Sequence, residues 1–206
     1  MTILWNQGLI ATTRRFLETG GSATSPQFYE QIVIDLSHVT AICREGLYFL
    51  RRGAGKTSQF HVAVRTDRCV FVVEPDVPLF EMVGVSSPPA EEDLQVVGES
   101  NRFSQTDVLF LRVRPPGGPE LIQEFPLDQK WSNETRSQVG VPWLKAPPLD
   151  RAFSTLTKSD LGLLPDTEAG FDPALLPEVF ATPVRPALPT EFPRGFEPVP
   201  ATPSQP

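Results

Sequence analysis

Proline is spread unevenly along these 206 residues, and that constrains the fold more than any other feature. Of 23 prolines, 14 lie from Pro142 onward. Proline fixes φ, donates no backbone hydrogen bond and pushes the residue before it out of the α region. Neither a long helix nor a central strand can run through such a segment. The chain therefore reads as an N-terminal piece (residues 1–26), a body (residues 27–140) and a proline-rich extended arm (residues 141–206).

The arm is not composed like a solvated tail, which would be poor in large apolar residues. It carries Trp143, Leu144, Phe153, Phe171, Leu175, Leu176, Phe180, Val184, Leu188, Phe192 and Phe196. Burying such side chains yields roughly 2 kcal/mol each, whereas ordering the backbone costs roughly 1 kcal/mol or more per residue. The arm cannot make a domain of its own and needs a surface already folded. At about 3.1 Å per residue it can reach on the order of 200 Å, against about 35–40 Å for the width of the body. Part can wrap the body while the rest reaches other subunits, and the residues named are the candidate partner contacts. The alternative is a linker tail with incidental apolar residues. Within the arm, Asp172-Pro173 places an N-cap and a first-turn proline at the start of one helical turn, which Pro177 interrupts. Pro183, Pro186 and Pro189 share one edge of a polyproline helix, a stiff spacer that leaves Val184 and Leu188 for contact.

From Tyr29 the body reads as short strands. Ile32, Ile34 and Leu36 alternate with polar or smaller residues, as do Phe60, Val62 and Val64. Such alternation marks a strand with one buried face. Val70–Val73 is continuously apolar, as a central strand would be. Pro115–Pro119 separates two strand-like runs by a turn. The core is expected to include Ile32, Ile34, Leu36, Phe49, Val62, Val64, Val72, Leu109 and Leu111. Eight or nine strands with turns at this spacing predict a mainly β fold, an antiparallel small barrel or sandwich. No internal repeat long enough to imply a solenoid stands out. Residues 2–19 suit either a short helix or an extended arm, stopped by Gly20-Gly21.

The formal charge of −7, with no basic block, argues against nucleic acid as the main partner. Two cysteines, Cys43 and Cys69, make no disulfide framework. The first residues lack the pattern of a secretion signal, and no apolar run approaches the roughly 20 residues of a membrane span. Cytoplasmic synthesis is the expectation.

Motifs that would carry chemistry fall short of their requirements. Gly53-Ala54-Gly55-Lys56-Thr57 looks like the end of a phosphate-binding loop, but Leu50 stands where its leading glycine belongs. A strand rather than a helix follows, so a hairpin tip is the expectation. His38, His61, Cys43 and Cys69 match no zinc spacing. No nucleophile elbow accompanies the two histidines. Asp35, Asp67, Glu74 and Asp76 sit where turns end strands, and Glu91-Glu92-Asp93 reads as a charged loop.

No catalytic residue, cofactor or metal is therefore expected. The sequence points to a non-enzymatic structural or accessory subunit of a large assembly, such as a virion decoration, connector or tail component, or a supercomplex linker. Its partners would be other protein subunits, further copies of itself included. The alternative is a soluble adaptor whose β domain and tail bind separate partners.

Overall fold

The alternating stretches do form strands, but each pairs in parallel with a stretch one coil away in sequence. The computed structural model describes residues 1–20, 31–52, 61–127, 130–140, 148–150, 152–156 and 168–175. A first face stacks β1 (Thr2–Thr12), β3 (Gln31–Cys43), β5 (His61–Asp67), β8 (Leu94–Glu99) and β12 (Ser132–Thr135), all parallel. A second face stacks the latter halves of β1 and β3 with β6 (Val70–Val72) and β9 (Arg102–Phe103). The third stacks β2 (Leu17–Gly20), β4 (Tyr48–Arg51), β7 (Phe80–Val83) and β10 (Leu109–Arg114). Ile3, Ile34, Val64, Val96 and Ser132 follow one another in a single row, 31, 30, 32 and 36 residues apart.

This is a three-sided β-solenoid of four coils and the start of a fifth, and it corrects the expected antiparallel barrel or sandwich. Period-two alternation is common to both architectures, because either buries one face of each strand. What separates them is the connection. Here a strand leads round a corner to the next face instead of folding back on itself. The Pro115–Pro119 turn is the exception, and β11 (Gln123–Pro126) does return antiparallel on β10. The first segment also differs from a helix, since residues 2–12 are the first coil's strand. Gly53–Thr57 lies outside the described residues. Its flanking strands β4 and β5 belong to different sheets, so they are not the two arms of a hairpin.

The corner between the first and second faces rests on one residue per coil. Gln7, His38, Arg68, Ser100 and Arg136 occupy successive coils with φ of 57, 53, 49, 57 and 57°. A left-handed residue bends the chain within a single step, and pairing resumes at the very next position between the first two coils and one position later in those that follow. In β1 and β3 the strand runs through the bend without a break. The position after the bend points inward and stacks Gly8, Val39, Cys69, Asn101 and Ser137.

The interior is apolar and layered. Ile32, Ile34, Leu36, Val62, Val64 and Leu111 are buried as expected, and Phe71 stacks on Phe103 at 5.4 Å. Leu109 is only half-buried. Phe49 and Val72 are buried on the outside of the solenoid. Phe49 lies beneath the Arg15 guanidinium, 3.9 Å from its ring centre. Beside it Glu81, only 6% exposed, accepts a hydrogen bond from Arg15 (3.1 Å) and forms an ion pair with Arg114 (2.6 Å), so the third face is closed by charge pairing. Cys43 and Cys69 are free and fully enclosed, and burial pushes both thiols up to about 12. At neutral pH they are uncharged packing groups.

Candidate docking end of the solenoid

The outside of the second face is apolar where a solvated sheet would be polar. Leu9, Ile42, Val70 and Val72 point away from the interior. The arm covers them: Leu149, Phe153, Leu156, Ala169 and Phe171 pack there as a second hydrophobic cluster. This explains why β6 is continuously apolar, since both of its sides are buried. Arg44 fastens the first part of the arm by donating to the Leu149 carbonyl (2.8 Å) and facing the Phe153 ring.

The later part of the arm runs across the coils, beside the left-handed corner. The Gly170 amide donates to the Arg68 carbonyl in the third coil (2.7 Å). The Phe171 amide donates to Thr40 Oγ1 in the second (3.4 Å), and the Asp172 amide to Gln7 Oε1 in the first (3.1 Å). The expected one-turn helix follows as a 3-10 turn, Pro173–Leu175, with Asp172 Oδ1 accepting the Ala174 amide (2.8 Å). Leu175 is 66% exposed. The arm is thus delivered to the first coil, and residues 176–206 continue from there.

Among the described residues no coil stacks on the outer edge of the first, which leaves this end of the solenoid open. Among the described residues β1 has one hydrogen-bonded neighbour, β3, along its whole length. Its sequence, TILWNQGLIAT, contains no charge and no proline. Met1, Leu4 and Trp5 are exposed, three of the seven large apolar side chains so exposed among the described residues. Ile3, Phe16 and Leu17 pack on the core but are only partly covered. Trp5 folds across the end toward Phe16, at 6.4 Å and edge-on. Gly8 allows this, because a Cβ there would stand 2.0 Å from the indole nitrogen.

The far end also finishes on edge strands, β12 and β11, but side chains cap its interior. The indole of Trp131 is buried beside Phe125 at 4.8 Å, and its N–H donates to the Pro89 carbonyl (2.9 Å). Asn101, fully buried, accepts from the Cys69 amide (2.9 Å) and donates to Thr66 Oγ1 (2.7 Å) and Glu134 Oε2 (3.0 Å). Lys130, Glu134, Arg136 and Pro126 supply the charges and proline that blunt an exposed edge.

Other polar groupings are local. Ser37 Oγ lies 3.0 Å from His38 Nδ1, and His61 pairs with Asp93 (3.0 Å). A cleft of about 460 Å³ beside Leu149 is lined by Glu74, Asp76, Asp107 and Asp150. Arg68, Arg102 and Arg136 line another, where Glu168, Asp67 and Glu99 balance Arg68 and Arg136. No metal-binding group of three or more His, Cys, Asp or Glu occurs among the described residues. No helix among them is long and apolar enough to cross a membrane.

Of the candidate contact residues, Phe153 and Phe171 pack on the chain's own second face, and Leu175 is presented to solvent. Trp143, Leu144, Leu176, Phe180, Val184, Leu188, Phe192 and Phe196 lie outside the described residues. The open edge of β1 was missed by the sequence reading, although eleven successive residues without charge or proline were a signal. Comparison with family models, curated proteins and solved structures finds no match to this chain.

Proposed function

We propose that this protein is a non-enzymatic structural subunit of a large protein assembly, docking through the open first coil and reaching a neighbour with residues 176–206. The observation that carries the reading is the path of the arm. It crosses three coils and emerges at the end where β1 lacks a second neighbour and where Leu4, Trp5 and Leu175 are exposed. An uncharged edge, an apolar rim and a long anchored extension then converge on one end. Exposed apolar surface of this kind marks protein interaction sites. Leu175, Leu176, Phe180, Val184, Leu188, Phe192 and Phe196 are the contacts assigned to the neighbour. A virion component or a supercomplex linker is the kind of setting that offers so extended a surface.

The test is size fractionation of the tagged full chain made in its native cell. It is expected in fractions far above its own 22.8 kDa. Deletion of residues 176–206 is expected to return it to small fractions without lowering the melting temperature of the purified body. Elution of the parent chain alone, or with one small soluble partner, overturns the reading and favours an adaptor.

A further inference from the structure

We infer that the open first coil takes a second copy of this chain, β1 against β1 across a twofold axis. The inference deepens the proposed function by assigning one occupant to its docking end.

The first argument is shape. The interior rows of the solenoid end at Ile3, Trp5, Phe16 and Leu17, which the next coil would have covered. A surface that continues this interior must have the same three-sided outline. The first coil of another copy has it by construction. A twofold axis through the corner carries the first face of one copy onto the second face of the other, and the third face onto itself. β1 spans both faces with its left-handed bend at Gln7, near its middle, so the two strands run antiparallel along their full length. With the axis between Asn6 and Gln7, Ile3 faces Ile10 and Trp5 faces Gly8, interior on interior, and pairing Thr2–Ala11 in this way forms about ten backbone hydrogen bonds, the number typical of a specific interface.

The second argument is charge. A twofold contact places each patch against itself, so any net charge in the patch repels its own copy. The chain carries −7 overall, yet Thr2–Thr12 carries none. Edge strands that must stay single are protected by lysine, proline or inward charge. β1 has none of these, whereas the far end has Lys130, Glu134, Arg136 and Pro126.

The third argument removes the chain's own arm as occupant. Beyond Leu175 the longest stretch without proline is residues 178–182, too short to pair along an eleven-residue strand. Proline cannot donate to a ladder.

Sedimentation velocity of the purified full-length chain tests this, with Leu4→Lys/Asn6→Lys as the variant. Both side chains are exposed, so the substitutions leave the interior untouched. They also bring the net charge closer to zero, so general repulsion cannot account for dissociation. The parent is expected as a dimer of twice 22.8 kDa at micromolar concentration. The variant is expected as a monomer, with dimerisation weakened at least about tenfold by like charges on the paired strands. Circular dichroism should match the parent, and melting should match that of the parent diluted until it too is monomeric. A monomeric parent overturns the inference, and so does a variant that dimerises like the parent. Neither result touches the fractionation test. A chain monomeric in isolation but found in a large particle retains the proposed function and loses only this occupant. A dimer that joins nothing larger does the reverse.

Discussion

Deleting residues 141–206 is expected to destabilise the β body by on the order of 5 kcal/mol and to promote its aggregation, whereas deleting residues 176–206 leaves its melting unchanged. The sequence alone leads one to expect that the body stays folded without residues 142–206, because few of its strands depend on the arm for pairing. The pairing is indeed independent of the arm, but the outer surface of the second face is not. Ile42 is wholly buried and Val70 and Val72 nearly so, and Leu156 and Phe171 are part of what covers them. Stripping the cover exposes both sides of that contact. Part of the loss is offset by the backbone freedom the deleted segment regains. Native domains are stable by only about 5–15 kcal/mol, so a loss of this size is decisive. Phe171→Ala alone should cost about 3 kcal/mol, as buried phenylalanine truncations do. Thermal or urea unfolding of the two truncations and the point variant checks the ordering. Equal stability of the parent and the 141–206 deletion would mean that the arm is not seated on the second face.

Asn101→Ala is expected to cost about 3 kcal/mol, more than its small change in volume explains. The side chain satisfies three groups inside the solenoid: the Cys69 amide, Thr66 Oγ1 and Glu134 Oε2. Ser137 Oγ donates to the same Glu134 oxygen (2.6 Å) and accepts the Asn101 amide (3.0 Å), so the network ties three coils together. Removing its centre leaves buried polar atoms without partners. Asn101→Asp keeps the shape and removes both donors, setting a carboxylate against Glu134. That variant should be destabilised at neutral pH and recover on acidification. Burial and the like charge raise the native carboxyl pKa above its unfolded value, so the protonated form stabilises the fold at low pH and that contribution fades as pH rises. Urea unfolding of both variants between pH 4 and 7 measures it. A pH-independent Asn101→Asp would show that the network is not formed.

Much of the local structure was legible in the residues, and the reasons are specific. Ile32, Ile34, Leu36, Val62 and Val64 alternate because one side of each strand is buried, and that held. The Pro115–Pro119 turn and the Asp172-Pro173 helical turn follow from local chemistry, and both are present. The architecture was not legible, because a parallel coil asks only that each interior row stay apolar. Val64 over Ile34, or Phe80 over Tyr48, satisfies that without any residue being repeated. The corner was hidden for a related reason. Gln7, His38, Arg68, Ser100 and Arg136 share a backbone conformation but no side-chain chemistry, and none is glycine. Phe49 and Val72 were placed in the core by their hydrophobicity. Only the structure shows that arginines cover the first and the arm the second.

At the docking end the arm's apolar content pointed to a folded surface, and Phe153 and Phe171 found it on their own chain. That the later arm would be led to the first coil depended on three backbone donations, to Arg68, Thr40 and Gln7, which no composition reveals. The unprotected character of β1 was visible in its residues. Its significance was not, because an uncharged strand is unremarkable until it is known to lie at an end.

Hydrogen–deuterium exchange along β1 tests most directly whether the first coil is the docking end. It compares the dilute monomeric chain with the chain in its dimer or native particle. In the monomer, amides of Thr2–Thr12 that face away from β3 should exchange as unpaired groups. On assembly they should slow at least about tenfold, while the amides of β11 and β12 at the far end keep their rates. Unchanged exchange along Thr2–Thr12, or new protection confined to β11 and β12, would contradict the account.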